Sequence, residues 1–476
     1  MASSPVASAG VAETATGKAY GTRGYRNYVL FSLLAVYTLN FIDRGLIGVV
    51  SEPIIREFQL KDWQFGLLSG FGFAVTYTLF GIPIARMAEQ MSRVKIIAYS
   101  VILWSVMTAL CGIANGFLVL LLFRVGVGIG EAGCTPPANS IIADYFPPRS
   151  RARALAIYAM GVTLGSALAA LFGGPIAQAF SWREAFIILG LPGVVVGVIV
   201  LFTMKEPPRG YSDLPGTPMA EKLGFADTLT RLAGNRSYWL NCAAATIVAF
   251  VGYGVASFQT SFFVRVHQMN IADIAVQLIF PISLAAAAGT FFAGMAIERL
   301  SSRFPNAVAW LPGWALLASL PLYWAGFSAG DPQVALFCLI GAAFLHYTYL
   351  GTQYTIAQGV VDARARATAI AILLFVVNLI GYGLGPLFVG GLSDYMMNSY
   401  MSAAPLAGQM TMDLCKSTDT VMLAAGGQQL VDACRSVSGA GVRDALRIAA
   451  LIYGAAGIAY LFLSRILQKD LLAKLH

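Results

Sequence analysis

Two full charges, Asp43 and Arg44, stand side by side in NYVLFSLLAVYTLNFIDRGLIGVV, a segment that is otherwise apolar. Ionisable groups this deep in an apolar helix are rare, because desolvating a charge is costly, and they face a cavity or one another. A second set follows in RVGVGIGE, where Arg124, Gly128 and Glu131 are spaced i, i+4, i+7 and share one helix face. Arginine keeps its proton in proteins, and its planar fork matches a phosphate or a carboxylate. A buried carboxylic acid behaves differently: desolvation raises its proton affinity and a neighbouring cation lowers it. Asp43 and Glu131 are therefore expected to load and release a proton. Arg44 and Arg124 are expected to hold an anionic headgroup or to pair with the acids. The competing reading is that such pairs only tie helices together.

The elements that position these groups are membrane helices. The chain has 476 residues, 58% hydrophobic and 11% charged, with a positive mean hydropathy. Its apolar runs of 18 or more residues number 12, near 28–50, 65–88, 94–114, 117–143, 152–178, 185–204, 239–264, 274–297, 307–328, 333–360, 367–392 and 445–467. The expected fold class is an all-α polytopic membrane protein. At 1.5 Å per residue, Asp43 and Arg44 lie roughly 22–24 Å up predicted helix 1. Asn40 shares their face and Tyr37 extends the stripe. Predicted helix 4 descends, which brings Arg124 level with Arg44 and puts Glu131 about 10 Å deeper. Gly126, Gly130 and Gly133 on helix 4, and Gly161, Gly165, Ala169 and Gly173 on helix 5, read as packing faces.

Charge sets the orientation. With the N-terminus inside, 21 of the 31 Lys and Arg fall on the inner side and 8 outside, so both termini are expected in the cytoplasm of a cell (inner) membrane. The net charge of +8 is accounted for by this bias and leaves no basic patch for nucleic acid. The expected organisation is a disordered tail 1–27, a six-helix bundle 28–204, a cytoplasmic linker 205–236, a second bundle 237–467 with an extracytoplasmic loop 394–443, and a tail 468–476. Cys415 and Cys434 share that loop, where an oxidising compartment would let them pair.

Internal echoes join the bundles. RARALAI (Arg151–Ile157) recurs as RARATAI (Arg364–Ile370), and ARMAEQMSR as GMAIERLSSR, at offsets of 213 and 209. Two pseudo-symmetric six-helix halves follow, with a substrate site at their interface. Shifting Glu131 by this offset lands close to His346. Tyr253, Gln259, Tyr347 and Asn378 are the further candidates in the second half, whose walls are aromatic and aliphatic. A P-loop, CxxC or HExxH pattern is lacking, so no cofactor, metal or enzyme activity is expected.

The degenerate G-x-x-x-D-R-x-x-R element after helices 2 and 8 resembles that of the major facilitator superfamily. Gly294, Glu298, Arg299 and Arg303 fit it, while the first copy carries Ala85 and Gln90 in place of Gly and Arg. Within the superfamily, NFIDRG, the run Arg124–Tyr158 and GYGLGPLFVGGLSD (Gly381–Asp394) resemble the spinster branch, and this chain a bacterial member. The resemblance implies secondary transport by alternating access. It implies that Glu89, Arg93, Glu298, Arg299 and Arg303 latch the cytoplasmic gate. Eukaryotic spinster proteins are associated with sphingosine-1-phosphate and lysophospholipids. The expected function is proton-driven movement of small amphipathic organic anions by a monomer in the lipid bilayer. The alternatives are a passive uniporter and, behind it, a non-transporting receptor.

Overall fold

The computed structural model describes residues 20–212, 230, 232–301, 303–361 and 366–472. The expected tail before residue 20, most of the linker (213–229), residues 362–365, which include the first two of the second RARATAI copy, and the last four residues lie outside the described residues.

Among the described residues, twelve helices are long and apolar enough to span a membrane. They are α1 (Arg23–Val49), α2 (Asp62–Gln90), α3 (Arg93–Cys111), α4 (Phe117–Tyr145), α5 (Arg153–Ala179) and α6 (Trp182–Thr203) in the first bundle. The second holds α7 (Arg236–His267), α8 (Ile271–Ser301), α9 (Ala307–Ser328), α10 (Pro332–Gly359), α11 (Thr368–Ala403) and α12 (Asp419–Leu467). Helices dominate because hydrocarbon offers the backbone no hydrogen-bond partner outside its own segment. Their starts are written in the sequence: Thr22, Ser92, Ser181, Asn235 and Asp331 each cap the first turn through a side-chain oxygen. The 394–443 connection is mostly helical, since α11 runs to Ala403 and α12 begins at Asp419. Within α12 the backbone is non-helical at Gly426 and Gly427, so a kink separates its first turns from the long helix that follows.

An even number of spans puts the start of α1 and the end of α12 on one side, the termini side. Glycine governs how closely the helices approach. A Cβ at Gly165 would stand 2.4 Å from the Thr38 carbonyl on α1, and one at Gly130 2.7 Å from Trp104 on α3. The sequence's small-residue faces are thus seated against helices 1 and 3.

The bundles meet mainly on the opposite, distal side. There a Cβ at Gly66 would lie 2.4 Å from the Pro386 carbonyl, and one at Gly390 2.3 Å from that of Asp62, so α2 and α11 touch backbone to backbone. Both helices widen into π-turns at this seam, Leu67–Phe71 and Val377–Tyr382. Pro386 explains the second: it has no N–H for the Tyr382 carbonyl, and its ring crowds that turn. On the termini side, the last segments of α4 and α10 pack within their own bundles. The molecule is sealed distally.

Candidate functional site

The charged residues of α1 and α4 converge, but not symmetrically. Helix α4 breaks after Glu131, because Pro136 and Pro137 supply no N–H to the carbonyls four residues earlier. Glu131 thus ends the first segment, fully buried, and Arg44 Nε donates to its Oε2 at 2.6 Å. Oε1 of Glu131 has no partner and faces Asn40, whose own Oδ1 is also unpartnered.

Asp43, 100° around α1 from Arg44, turns the other way. Its carboxylate faces Thr108 and Trp104 of α3, yet neither the hydroxyl nor the indole N–H closes a hydrogen bond. Among the described residues it forms no ion pair within 4 Å, although Glu131 and Arg124 lie within electrostatic range. Arg124 is fully buried and all three of its guanidinium nitrogens lack partners. Its guanidinium carbon lies 5.5 Å from the Phe73 ring centroid, and Asp43 and Glu131 are within electrostatic range. A cation–π contact supplies about 0.5–2 kcal/mol, whereas burying an ion costs several. One pair is closed and the other is open.

Arg44 occupies an aromatic cage. Its guanidinium carbon lies 4.8 Å from the centroids of Phe73 and Tyr77, 5.1 Å from Phe41 and 6.0 Å from Tyr382. Tyr382 belongs to α11, so the cage already reaches the second bundle. Tyr253 of α7 meets Tyr382 edge-on at 4.4 Å and lies within electrostatic reach of Arg44. Tyr37 stacks on Tyr158 of α5 at 4.4 Å. Tyr77, Tyr158 and Tyr382 were not singled out in the sequence, because an aromatic in a membrane helix looks the same whether it faces lipid, core or cavity.

The other candidates of the second half are more dispersed. Asn378 bonds back to the Leu374 carbonyl in its own helix at 2.8 Å, and Gln259 is buried on α7. His346 ends the first segment of α10 as Glu131 ends that of α4. It is enclosed within its bundle, 3.0 Å from the Tyr323 hydroxyl of α9 and 3.4 Å from that of Tyr453 on α12. Tyr347 follows it with ring centroids 4.5 Å apart.

Of the charges assigned to a gate, Arg93 is tightly engaged. It pairs with Asp144 of α4 and with Glu206 at 2.7 Å, and donates to Ser140 and to the Pro207 carbonyl. That strap fastens the first residues after α6 to the termini-side end of the first bundle. Glu89, Glu298, Arg299 and Arg303 lie exposed on the same side.

A second charged cluster, on the distal side, was not singled out. Arg265 of α7 forms a two-pronged bond to Asp62 of α2, both contacts at 2.9 Å, and donates to Glu52 at 2.9 Å. Asp394 of α11 accepts the Asp62 and Trp63 backbone N–H groups at 3.0 and 2.9 Å. Burial opposes ionisation of Glu52, but Arg265 and Arg56 outweigh it and hold its carboxyl below the usual glutamate range. In sequence these residues are ordinary loop-end charges, and nothing in their spacing announces that they meet.

The chain matches the model of the Major Facilitator Superfamily over residues 33–386. It is similar to the crystal structure of a bacterial homolog to the human lysosomal transporter spinster in an inward-facing and unoccupied conformation. That match has a TM-score of 0.86 and 42% identity, and covers 94% of this chain and 99% of the other. It is 32% identical to an MFS-type efflux pump of Mycolicibacterium smegmatis, over 76% of this chain and 83% of that protein. It is 27% identical to the sphingosine-1-phosphate transporter SPNS2 of Danio rerio, over 77% and 75%.

Proposed function

Because the chain belongs to the major facilitator superfamily, in its spinster branch, we propose that it is a proton-coupled, alternating-access transporter of amphipathic organic anions with lysolipid-like character. The observation that carries this reading is the asymmetric charge cluster: a closed Arg44–Glu131 pair beside an open Asp43 and Arg124. A buried arginine without a partner is unfavourable by several kcal/mol, so the arrangement suits a state awaiting either a rearranged acid or an anionic ligand. Protonating Glu131 removes the charge that holds Arg44. The guanidinium is then free, inside its aromatic cage, to take a phosphate or carboxylate head, while the tyrosine- and phenylalanine-rich wall accepts the apolar chain. Asp43, within range of both Glu131 and Arg124, is the second proton site. With the termini in the cytoplasm, as the Lys and Arg bias favours, the structure faces inward and is sealed outside.

The test is substrate-dependent proton movement in proteoliposomes against a panel of anionic amphiphiles. The SPNS2 relative is a sphingosine-1-phosphate transporter by name, which puts lysophospholipids and sphingosine-1-phosphate in the panel with single-chain carboxylates. Asp43→Asn and Glu131→Gln are expected to lose pH-driven transport. Unchanged proton coupling in both variants would overturn the assignment, and transport indifferent to any imposed pH gradient would leave a passive facilitator.

A further inference from the structure

The distal cluster contains a lysine that comes from neither bundle's spanning helices. Lys416 lies in the short connection between α11 and α12, is 2% exposed, and places its ammonium on Asp62 and 3.7 Å from Asp394. It bridges an acid of the first bundle and an acid of the second. Burial, then the nearby Arg265, push its ammonium down from the usual lysine value, against the pull of the two acids. A four-carbon side chain held in so unfavourable a place needs a rigid backbone behind it.

That backbone is small. Cys415, the adjacent residue, is joined to Cys434 by a disulfide across a sequence separation of 19. Around it packs a minor core of Met401, Met410, Met422, Leu430 and Val431, separate from the main cores of the two bundles. So few side chains, with flexible methionines among them, fix a loop weakly by themselves, and a covalent staple is the usual remedy. The same loop region reaches the first bundle a second time, through Asp419 and Arg56 at 3.3 Å. A cleft of about 240 Å³ is lined by Cys415 together with Arg56, Lys416 and Arg435.

We propose that Lys416 is the bolt of the distal gate and that the Cys415–Cys434 disulfide holds the bolt in place, so that reducing it biases the transporter toward the distally open state. The step is reduction of the S–S bond by two electrons: a dithiol does it by thiol–disulfide exchange, giving up its two protons and closing to its own disulfide, and a phosphine attacks one sulfur, after which water supplies the oxygen of the phosphine oxide and the two thiol protons. With the loop released, Asp62 keeps Arg265, which Glu52 also engages, and Asp394 loses the Lys416 ammonium. The two acids then face each other across the seam with less cationic charge between them, which weakens closure. The device rests on the alternating-access reading, since a gate needs two states to choose between.

Two backbone amides report on the gate directly. The N–H groups of Asp62 and Trp63 open α2, where no intrahelical carbonyl is available to them, and their acceptors are the Asp394 oxygens of the other bundle. Their hydrogen exchange, followed by mass spectrometry on the whole protein in lipid nanodiscs, therefore measures distal opening without any transport. Treatment of the wild type with a phosphine reductant, with loss of the disulfide verified by mass, is expected to speed exchange at these amides on the order of tenfold. Lys416→Met is expected to exchange as fast without reductant and to respond no further to it. Cys415→Ser/Cys434→Ser should match the reduced wild type. Unchanged exchange in a verifiably reduced wild type overturns the proposal, as does a Lys416→Met protein that still accelerates on reduction, because the disulfide would then act by another route. Failure of transport in proteoliposomes bears on the function above and leaves this readout intact.

Discussion

Glu131 and His346 occupy matching places in the two bundles and have opposite surroundings. Each is the last residue before a break in the fourth helix of its half, α4 or α10. At Glu131 the break is made by prolines. At His346 the Thr348 hydroxyl, 2.7 Å from the Leu345 carbonyl, competes for the backbone instead. The first break presents a carboxylate to arginines and leaves a second arginine open. The second closes a histidine between two tyrosine hydroxyls with no charge beside it. One architectural device thus frames a charge cluster in one bundle and an uncharged hydrogen-bonded cluster in the other.

The comparison is broken most severely by exchanging acid for amide. Glu131→Gln is expected to lower pH-driven transport on the order of 100-fold, since removing one partner of a buried pair forfeits about 3–5 kcal/mol of interaction. His346→Gln should retain proton coupling. A pH-gradient assay on both proteins decides it, and loss of coupling in the histidine variant would make the two halves functional equals.

Arg124→Met comes next. Replacing a buried, unpartnered cation by an apolar side chain of similar length is expected to raise thermal stability, by about 1–4 kcal/mol, while transport falls about tenfold. A variant that is both more stable and fully active would reduce Arg124 to a structural relic. Tyr323→Phe, which takes one hydroxyl from His346, is expected to cost about 1 kcal/mol of stability in a thermal melt and to leave the pH profile of transport where it was.

The smallest effect concerns the distal acid. Glu52 has a depressed proton affinity in the folded protein, so its contribution to closure is complete above the usual glutamate value. It is lost only as pH falls through the lower folded value. Exchange at the Asp62 and Trp63 amides should be faster in Glu52→Gln than in wild type at neutral pH. The difference should persist at pH about 4.3, where a free glutamate is half protonated, and close in stronger acid.

Much of this was legible in the chain itself. Twelve spans and the two-bundle repeat followed from hydropathy and internal echoes, whereas the expectation of Glu131 about 10 Å deeper than Arg44 did not foresee that these two side chains pair at 2.6 Å. The glycine and alanine stripe on α5 read as packing and is seated on α1. The partners of those charges were not legible. Asp43 and Arg44 are adjacent in sequence, and only the 100° turn between them sends one toward α3 and the other toward α4. The distal cluster was hidden for a simpler reason: Glu52, Asp62, Arg265, Asp394 and Lys416 span 365 positions of the chain, and each alone is an ordinary charge at a membrane boundary.

Local rules therefore determined what this protein is made of: apolar segments long enough to cross a bilayer, and a few charges too expensive to bury without purpose. Which charge meets which was decided by the tertiary structure, because an ion pair is set by a few ångströms of separation between helices. Sequence spacing carries distance along one helix axis, and across the interface between two bundles it carries almost none.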